Sequence, residues 1–213
     1  MKDSLSIKRK IAERAAREVK ENQVVNLGVG IPTLIPDFMK DKTVYLQSEN
    51  GLLGIGPTPP ADQIDMDLIS ASKTPISMIE GAVLFDSAES FAMIRGGHID
   101  LAILGALQID ETGEVANWNV PGSDILGVGG AMDLMVGAQK IIITSTHLTR
   151  DGKPKLLKKL TYPSSSSRKV DMVITEHAVF TFKDGTMYLK EILSDLSIKE
   201  LREITEANFV VEK

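Results

Sequence analysis

Ile141-Ile142-Ile143 is apolar on three successive residues, and a strand with that pattern has to be covered on both faces. The same demand recurs in short β-branched or aliphatic runs at Val24 to Val29, Val44 to Gln47, Pro75 to Ile79, Asp100 to Leu104, Lys140 to Ser145 and Asp171 to Thr175. Helical stretches, including Ser87 to Ile94 and Ala131 to Val136, lie between them. Such alternation predicts an α/β fold, an open and mostly parallel sheet with flanking helices. Near the C-terminus, Ala178 to Phe182 and Thr186 to Glu191 flank Lys183-Asp184-Gly185, which predicts a hairpin. Ser197 and Glu200 form a capping box ahead of Leu201 and Ile204, opening a final helix. At 213 residues the chain can bury a full core, and one domain over 1–213 is the expectation.

The N-terminal segment carries Lys2, Lys8, Arg9, Lys10, Arg14 and Arg17 among apolar residues, as targeting peptides do, but Asp3, Glu13, Glu18 and Glu21 argue against that role. Ile7, Ile11, Ala15 and Val19, with Ala12 and Ala16 beside them, make the stripe of an amphipathic helix docking on a core. With 24 basic and 29 acidic residues and a net charge of -5, the chain lacks the basic excess that favours nucleic acid or an anionic membrane. No apolar run approaches a membrane span, so a cytoplasmic location is expected. The absence of cysteine excludes a disulfide scaffold, a thiolate metal site and a cysteine nucleophile. His98, His147 and His177 show no paired spacing, so no metal site is predicted; His98 reads as a hydrogen-bonded residue at a strand entrance rather than a general base.

Three segments can carry chemistry. In Gln47-Ser48-Glu49-Asn50-Gly51 a strand runs into a glycine-rich turn, where ligands of open parallel sheets bind, so Glu49 sits where a catalytic carboxylate would sit. The alternative is a turn in which Ser48 and Glu49 satisfy local backbone donors. Gly127-Val128-Gly129-Gly130-Ala131-Met132-Asp133 places three glycines before a helix, and amides there can converge on one negative charge; a plain tight connection is the alternative. Asn26-Leu27-Gly28-Val29-Gly30-Ile31-Pro32-Thr33 invites a dinucleotide reading, but Thr33 stands where that fingerprint needs a third small residue. Two further stretches read as solvated surface: Ser164-Ser165-Ser166-Ser167, despite Arg168 and Lys169 suiting a phosphate, and the Asp151-Gly152-Lys153-Pro154 turn.

Those segments, together with Phe85-Asp86-Ser87, Ile94-Arg95-Gly96-Gly97-His98-Ile99-Asp100, Ala116-Asn117-Trp118 and Val120-Pro121-Gly122, occur in an order that resembles the family I CoA-transferases, and among them the β subunits of bacterial 3-oxoacid enzymes. The resemblance spans nearly the whole chain. It implies a fold like that of ribose-phosphate isomerases, Glu49 as nucleophile, and an oxyanion hole from the Gly130 and Ala131 amides. It also implies coenzyme A contacts at Asn26, Gly28, Asn50, Gly51, Lys73, Asn117 and Gly129, with coenzyme A thioesters as substrates and no resident cofactor. An α subunit is implied as partner, in an α2β2 assembly. Two departures stand out: the serine run follows Pro163 where Leu-Thr is expected, and His177 replaces a leucine. The rival classes are a ligand-sensing module and a sugar-phosphate isomerase; a sensor has no use for a nucleophile at position 49, and an isomerase needs a base that is never acylated.

Overall fold

The computed structural model describes residues 2–39, 42–123, 127 and 129–212. The chain opens with helix α1 (Lys2–Ala16), which buries Ile11, Ala12, Ala15 and Ala16 as its stripe requires. Strand β1 (Val24–Leu27) follows, then a 3₁₀ helix (Ile31–Phe38) with Pro32 in its first turn. Next come β2 (Tyr45–Ser48), β3 (Leu52–Ile55), β4 (Met78–Leu84), α2 (Ser87–Arg95), β5 (Leu101–Gly105), β6 (Gln108–Asp110) and β7 (Val115–Ala116). The remainder is α3 (Ala131–Gly137), β8 (Lys140–Thr144), β9 (Leu156–Leu157), β10 (Met172–Ile174), β11 (Ala178–Lys183), β12 (Thr186–Ile192), α4 (Ile198–Glu203) and β13 (Val210–Val211).

Among the described residues, ten strands form one sheet in the order β13-β12-β11-β10-β8-β5-β1-β2-β3-β4, and β7-β6-β9 form a second, smaller one. The centre, β10-β8-β5-β1-β2, is parallel throughout. Successive residues there do serve opposite faces. Ile141 and Ile143 pack with Ala102, Leu104, Leu134 and Val173 on the side of α2, α3 and α4. Ile142 packs with Leu101, Ile103, Val25 and Ile35 on the side of α1 and the 3₁₀ helix. A fully buried isoleucine contributes about 1.5–3 kcal/mol, so each triplet of this kind holds two layers at once.

The predicted hairpin forms as β11–β12, with Asp184 at φ 51° and Gly185 at φ 74° supplying the two left-handed residues of its turn. The capping box is present: Ser197 accepts from the Glu200 amide at 3.3 Å, and Glu200 accepts from the Ser197 amide at 2.8 Å.

The Pro75 to Ile79 run differs from its expectation. Pro75 has no amide for a ladder, and β4 starts only at Met78, pairs antiparallel with β3 and ends the sheet. Strand β3 was hidden by its glycines. Gly51, at φ 117°, would put a side chain 2.0 Å from the Phe85 carbonyl oxygen, and Gly54, at φ 98°, would put one 2.8 Å from Ala82 Cβ. Both permit β4 and its exit to lie against β3, so a segment that reads as a turn is a turn and a strand. Among the described residues no helix is long and apolar enough to cross a membrane.

Candidate active site

From β1 the chain steps outward to β2, and after β4 it returns through α2 to β5 on the other side of β1. Ligands of open α/β sheets bind beyond the carboxyl ends of strands at such a reversal. A cavity of about 830 Å³ lies there, walled by Asn26 to Val29 at the end of β1, Leu46 to Glu49 of β2 and its exit, and Leu104 to Leu107 at the end of β5. Ser70 to Ser72 and Thr74 to Ile76 close one side, and Gly129 to Ala131 the other.

Glu49 is the residue after β2, in the turn closed by the Gly51 amide on the Ser48 carbonyl at 3.0 Å. Its carboxylate reaches the glycine wall: a Cβ built on Gly130 would lie 3.2 Å from Glu49 Oε1. Gly130 and Ala131 open α3, where first-turn amides have no intrahelical acceptor. The fold thus brings an acidic side chain beside the first turn of α3, the end of a helix that favours negative charge.

Asn26, 1% exposed, donates Nδ2 to the Gln47 carbonyl at 3.2 Å and to Gln47 Oε1 at 2.6 Å, and Gln47 Nε2 donates to Ser90 at 2.8 Å. The carbonyl fixes which end of the Asn26 amide faces β2, leaving its buried Oδ1 without a donor among the described residues. Gly28 lies close against Leu104, since a Cβ there would be 3.1 Å from Leu104 Cδ2. Asn117 donates its amide to Ser165 Oγ at 2.9 Å and accepts the same hydroxyl on Oδ1 at 2.7 Å.

Glu49, Gly130, Ala131, Asn26, Gly28, Asn117 and Gly129 therefore border one cavity. Asn50, Gly51 and Lys73 do not. Asn50 is exposed and donates to the Ile69 carbonyl at 2.8 Å; Gly51 serves the close approach of Phe85; Lys73 is exposed at the tip of a tight turn with φ 60°. In each case local backbone demands take the residue away from the cavity wall.

The serine run is not simply solvated. Ser165 is 1% exposed and holds Asn117, a role that a threonine hydroxyl at the same position could also fill. Arg168 is spent on the end of α3, donating to the carbonyls of Val136, Ala138 and Gln139, and Lys169 pairs with Glu114 at 3.0 Å. Neither is left for a phosphate. The Asp151-Gly152-Lys153 turn is solvated, with Lys153 and Asp151 paired at 2.8 Å on the surface.

His98 is exposed against Gly96, and among the described residues its side chain makes no hydrogen bond; Asp100 Oδ2 instead takes the Val24 amide at 2.8 Å where β5 begins. His147 is fully buried between Thr175 (3.1 Å from Nδ1) and Thr205 (2.9 Å from Nε2). Each hydroxyl also has a backbone acceptor, Thr205 donating to the Leu201 carbonyl at 2.6 Å and Thr175 to the Ala178 carbonyl at 3.2 Å, so the ring is held between two anchored side chains. Burial, and secondarily the neighbouring His177 ring 5.6 Å away, hold the His147 imidazole down to about 4. Among the described residues no group of three or more His, Asp or Glu side chains is placed to hold a metal ion.

The sequence model of the Coenzyme A transferase family matches residues 8–203. This chain belongs to that family. It is 47% identical over 207 residues to one subunit of a probable succinyl-CoA:3-ketoacid coenzyme A transferase from Bacillus subtilis, covering 97% of this chain and 96% of the relative. It is 45% identical over 208 residues to an acetate CoA-transferase subunit beta of Escherichia coli, covering 97% and 95%. Its fold superposes on an Escherichia coli acyl-CoA transferase apoenzyme with a TM-score of 0.77 at 24% identity, over 96% of this chain and 42% of the longer one. As a CoA-transferase, the protein moves coenzyme A between carboxylic acids.

Proposed function

We propose that this CoA-transferase subunit acts on short-chain acids of the 3-oxoacid group through a covalent glutamyl-CoA thioester on Glu49, paired with an α subunit. The carrying observation is the Glu49 carboxylate held against Gly130, at the start of α3, inside the cavity at the strand ends. The carboxylate attacks the acyl-CoA carbonyl and expels CoA thiolate, giving a mixed anhydride. The thiolate then attacks the glutamyl carbonyl, releasing the first acid as its carboxylate and leaving glutamyl-CoA. The second acid attacks that thioester, forms a new anhydride and frees the thiolate, which takes the new acyl group and restores the Glu49 carboxylate. No electron is exchanged with a redox partner, and no water enters.

Every one of these steps puts negative charge on a carbonyl oxygen, and the Gly130 and Ala131 amides are its donors; losing one such donor costs about 3 kcal/mol of transition-state stabilisation. Asn26, Gly28, Asn117 and Gly129 line the path of the coenzyme A arm. Acetate, butyrate, succinate, acetoacetate and 3-oxoadipate are the acids to compare, in a panel of acceptors.

The partner reading is supported by the sheet's last strand. On β4, Met78, Ile79, Val83 and Leu84 are 45%, 37%, 53% and 63% exposed, a large apolar edge for an isolated chain. We assign it to the α subunit of an α2β2 assembly in the cytoplasm, since the similar chains in Bacillus subtilis and Escherichia coli are themselves named as subunits. The test is mass spectrometry of the assembled enzyme given acyl-CoA without acceptor. A coenzyme A adduct on the peptide bearing Glu49 is expected; an adduct elsewhere, or none with active enzyme, overturns the reading.

A further inference from the structure

The residues on either side of Glu49 grip the same piece of backbone. Ser48 Oγ accepts the Ala71 amide at 2.9 Å, and Asn50 donates Nδ2 to the Ile69 carbonyl at 2.8 Å. The anchor points alternate in both segments, 48 with 71 and 50 with 69, so the two stretches lie side by side with Glu49 between the grips. The second stretch is stiff in its own right. Ile69 bridges Pro75, the Ser70 amide donates to the Thr74 carbonyl at 2.9 Å, the Ser70 and Thr74 hydroxyls are 2.8 Å apart, and the Lys73 amide closes on the Ser70 carbonyl at 2.8 Å. Ser70, Ala71, Ser72 and Thr74 are at the same time a wall of the cavity.

We infer that Ser48 and Asn50 are positioning residues for the transfer reaction: a two-point clamp that fixes the Glu49 backbone against the 69–75 hairpin, so that its carboxyl carbon stays aligned with the Gly130 and Ala131 amides. The inference rests on Glu49 being the nucleophile. A hairpin turn followed by a glycine is a soft place for a group that is attacked, released and attacked again at one carbon. Held at one side only, its side chain would swing about the free end. Ser48 is 4% exposed and its hydroxyl is committed to the clamp, whereas Asn50 is exposed, so its bond to Ile69 adds little to folding. That difference lets positioning be separated from stability.

The experiment compares Ser48→Val, Ser48→Thr, Asn50→Ala and the unaltered chain in the assembled enzyme, measuring kcat, KM for acyl-CoA and Tm. Val and Thr have the same shape and differ in the hydroxyl. A misplacement of about 1 Å costs as much as 100-fold in rate, so Ser48→Val and Asn50→Ala are each expected to lose about tenfold or more in kcat with KM within about twofold. Ser48→Thr should recover most of the loss, and Asn50→Ala should leave Tm near that of the unaltered chain. A clamp that served folding alone would lower Tm and leave kcat in place. Equal kcat in Ser48→Val and Ser48→Thr, together with unchanged kcat in Asn50→Ala, overturns the clamp. Capture of Glu49 by borohydride after acyl-CoA is added is read in the same samples. If Glu49 is captured while the clamp variants turn over normally, only the clamp fails; if active unaltered enzyme gives no capture at Glu49, the nucleophile and the clamp fail together.

Discussion

The ends of β2 and β8 lie on the same side of the parallel centre of one sheet, yet the polar groups gathered there are arranged in different ways. Beyond β2, Glu49 faces a cavity of about 830 Å³, amides at the start of α3 lack intrahelical acceptors, and Asn26 Oδ1 has no donor among the described residues. Beyond β8, His147 is sealed in and satisfied: both ring nitrogens are bonded, its amide donates to Glu176 Oε2 at 2.9 Å, and Lys155 donates to Thr146 at 2.9 Å. Burial pushes the Lys155 ammonium down, and Glu176 opposes that shift. A polar cluster at a strand end is thus not enough to mark a site. The distinguishing feature is open volume, since His177 Nδ1 beside the closed cluster is also without a partner among the described residues, whereas the bonds of His147 make a plug that ties β8, β10 and α4 together.

The largest expected effect lies on the open side. Glu49→Ala removes the proposed nucleophile and should cut exchange by at least about a thousandfold, with Tm little changed because the side chain faces the cavity. Steady-state exchange alongside thermal melting checks both halves of that statement. Gly130→Val comes next. Its side chain would press on the Glu49 carboxylate, 3.2 Å from the position of the new Cβ, and displace the amide wall. A fall in kcat of about 100-fold is expected, with KM for acyl-CoA changed much less; the reverse pattern would turn the loop into a binding element.

The closed side should respond in stability and not in rate. His147→Ala removes two ring hydrogen bonds and leaves a void, so a loss of about 3 kcal/mol in urea unfolding is expected, with kcat unchanged below the melting range. Its pH dependence has a definite sign. The folded state keeps the imidazole neutral down to about 4, while the unfolded chain takes up a proton near 6.5. The contribution of His147 is therefore complete above 6.5, declines as pH falls, and levels off near 4, in total about 3 kcal/mol. Subtracting the His147→Ala curve from that of the unaltered chain isolates it; a flat difference across that range would contradict the sealed, neutral ring. The smallest effect is expected at Ser165→Ala, which frees Asn117 from its hydroxyl partner and should raise KM for acyl-CoA by about fivefold, while Ser165→Thr should not.

Much of this contrast was legible in the residues, and the rest was not for physical reasons. The isoleucine triplet, the capping box and the Asp184-Gly185 turn each dictate local geometry, and each is found where it was expected. Glu49 before Asn50-Gly51 and the glycines before α3 were visible as segments, but nothing in their spacing says that they meet; sheet order brings them together. Strand β3 is concealed because Gly51, Gly54 and Gly56 resemble a loop until the segment from Ser77 through β4 to Phe85 is seen pressing on them. β6, β7 and β9 are two or three residues long, too short to show an alternation. Ser165 does not stand out in the sequence because a serine run reads as solvent-facing, and its value depends on Asn117, forty-eight residues earlier.

The most direct test of Glu49 as the acylated group follows its oxygens. Acceptor acid labelled with heavy oxygen at both carboxylate positions is supplied to enzyme carrying coenzyme A, for a single turnover. Attack by that acid on glutamyl-CoA, followed by thiolate attack on the new acyl carbon, leaves one labelled oxygen on Glu49 and one in the new acyl-CoA. The account predicts one heavy oxygen in the peptide containing Glu49, about half of it carried into the first acid released on the next turnover if either Glu49 oxygen can attack. A Glu49 peptide without label after completed transfer would contradict it, and label in another peptide would name a different nucleophile.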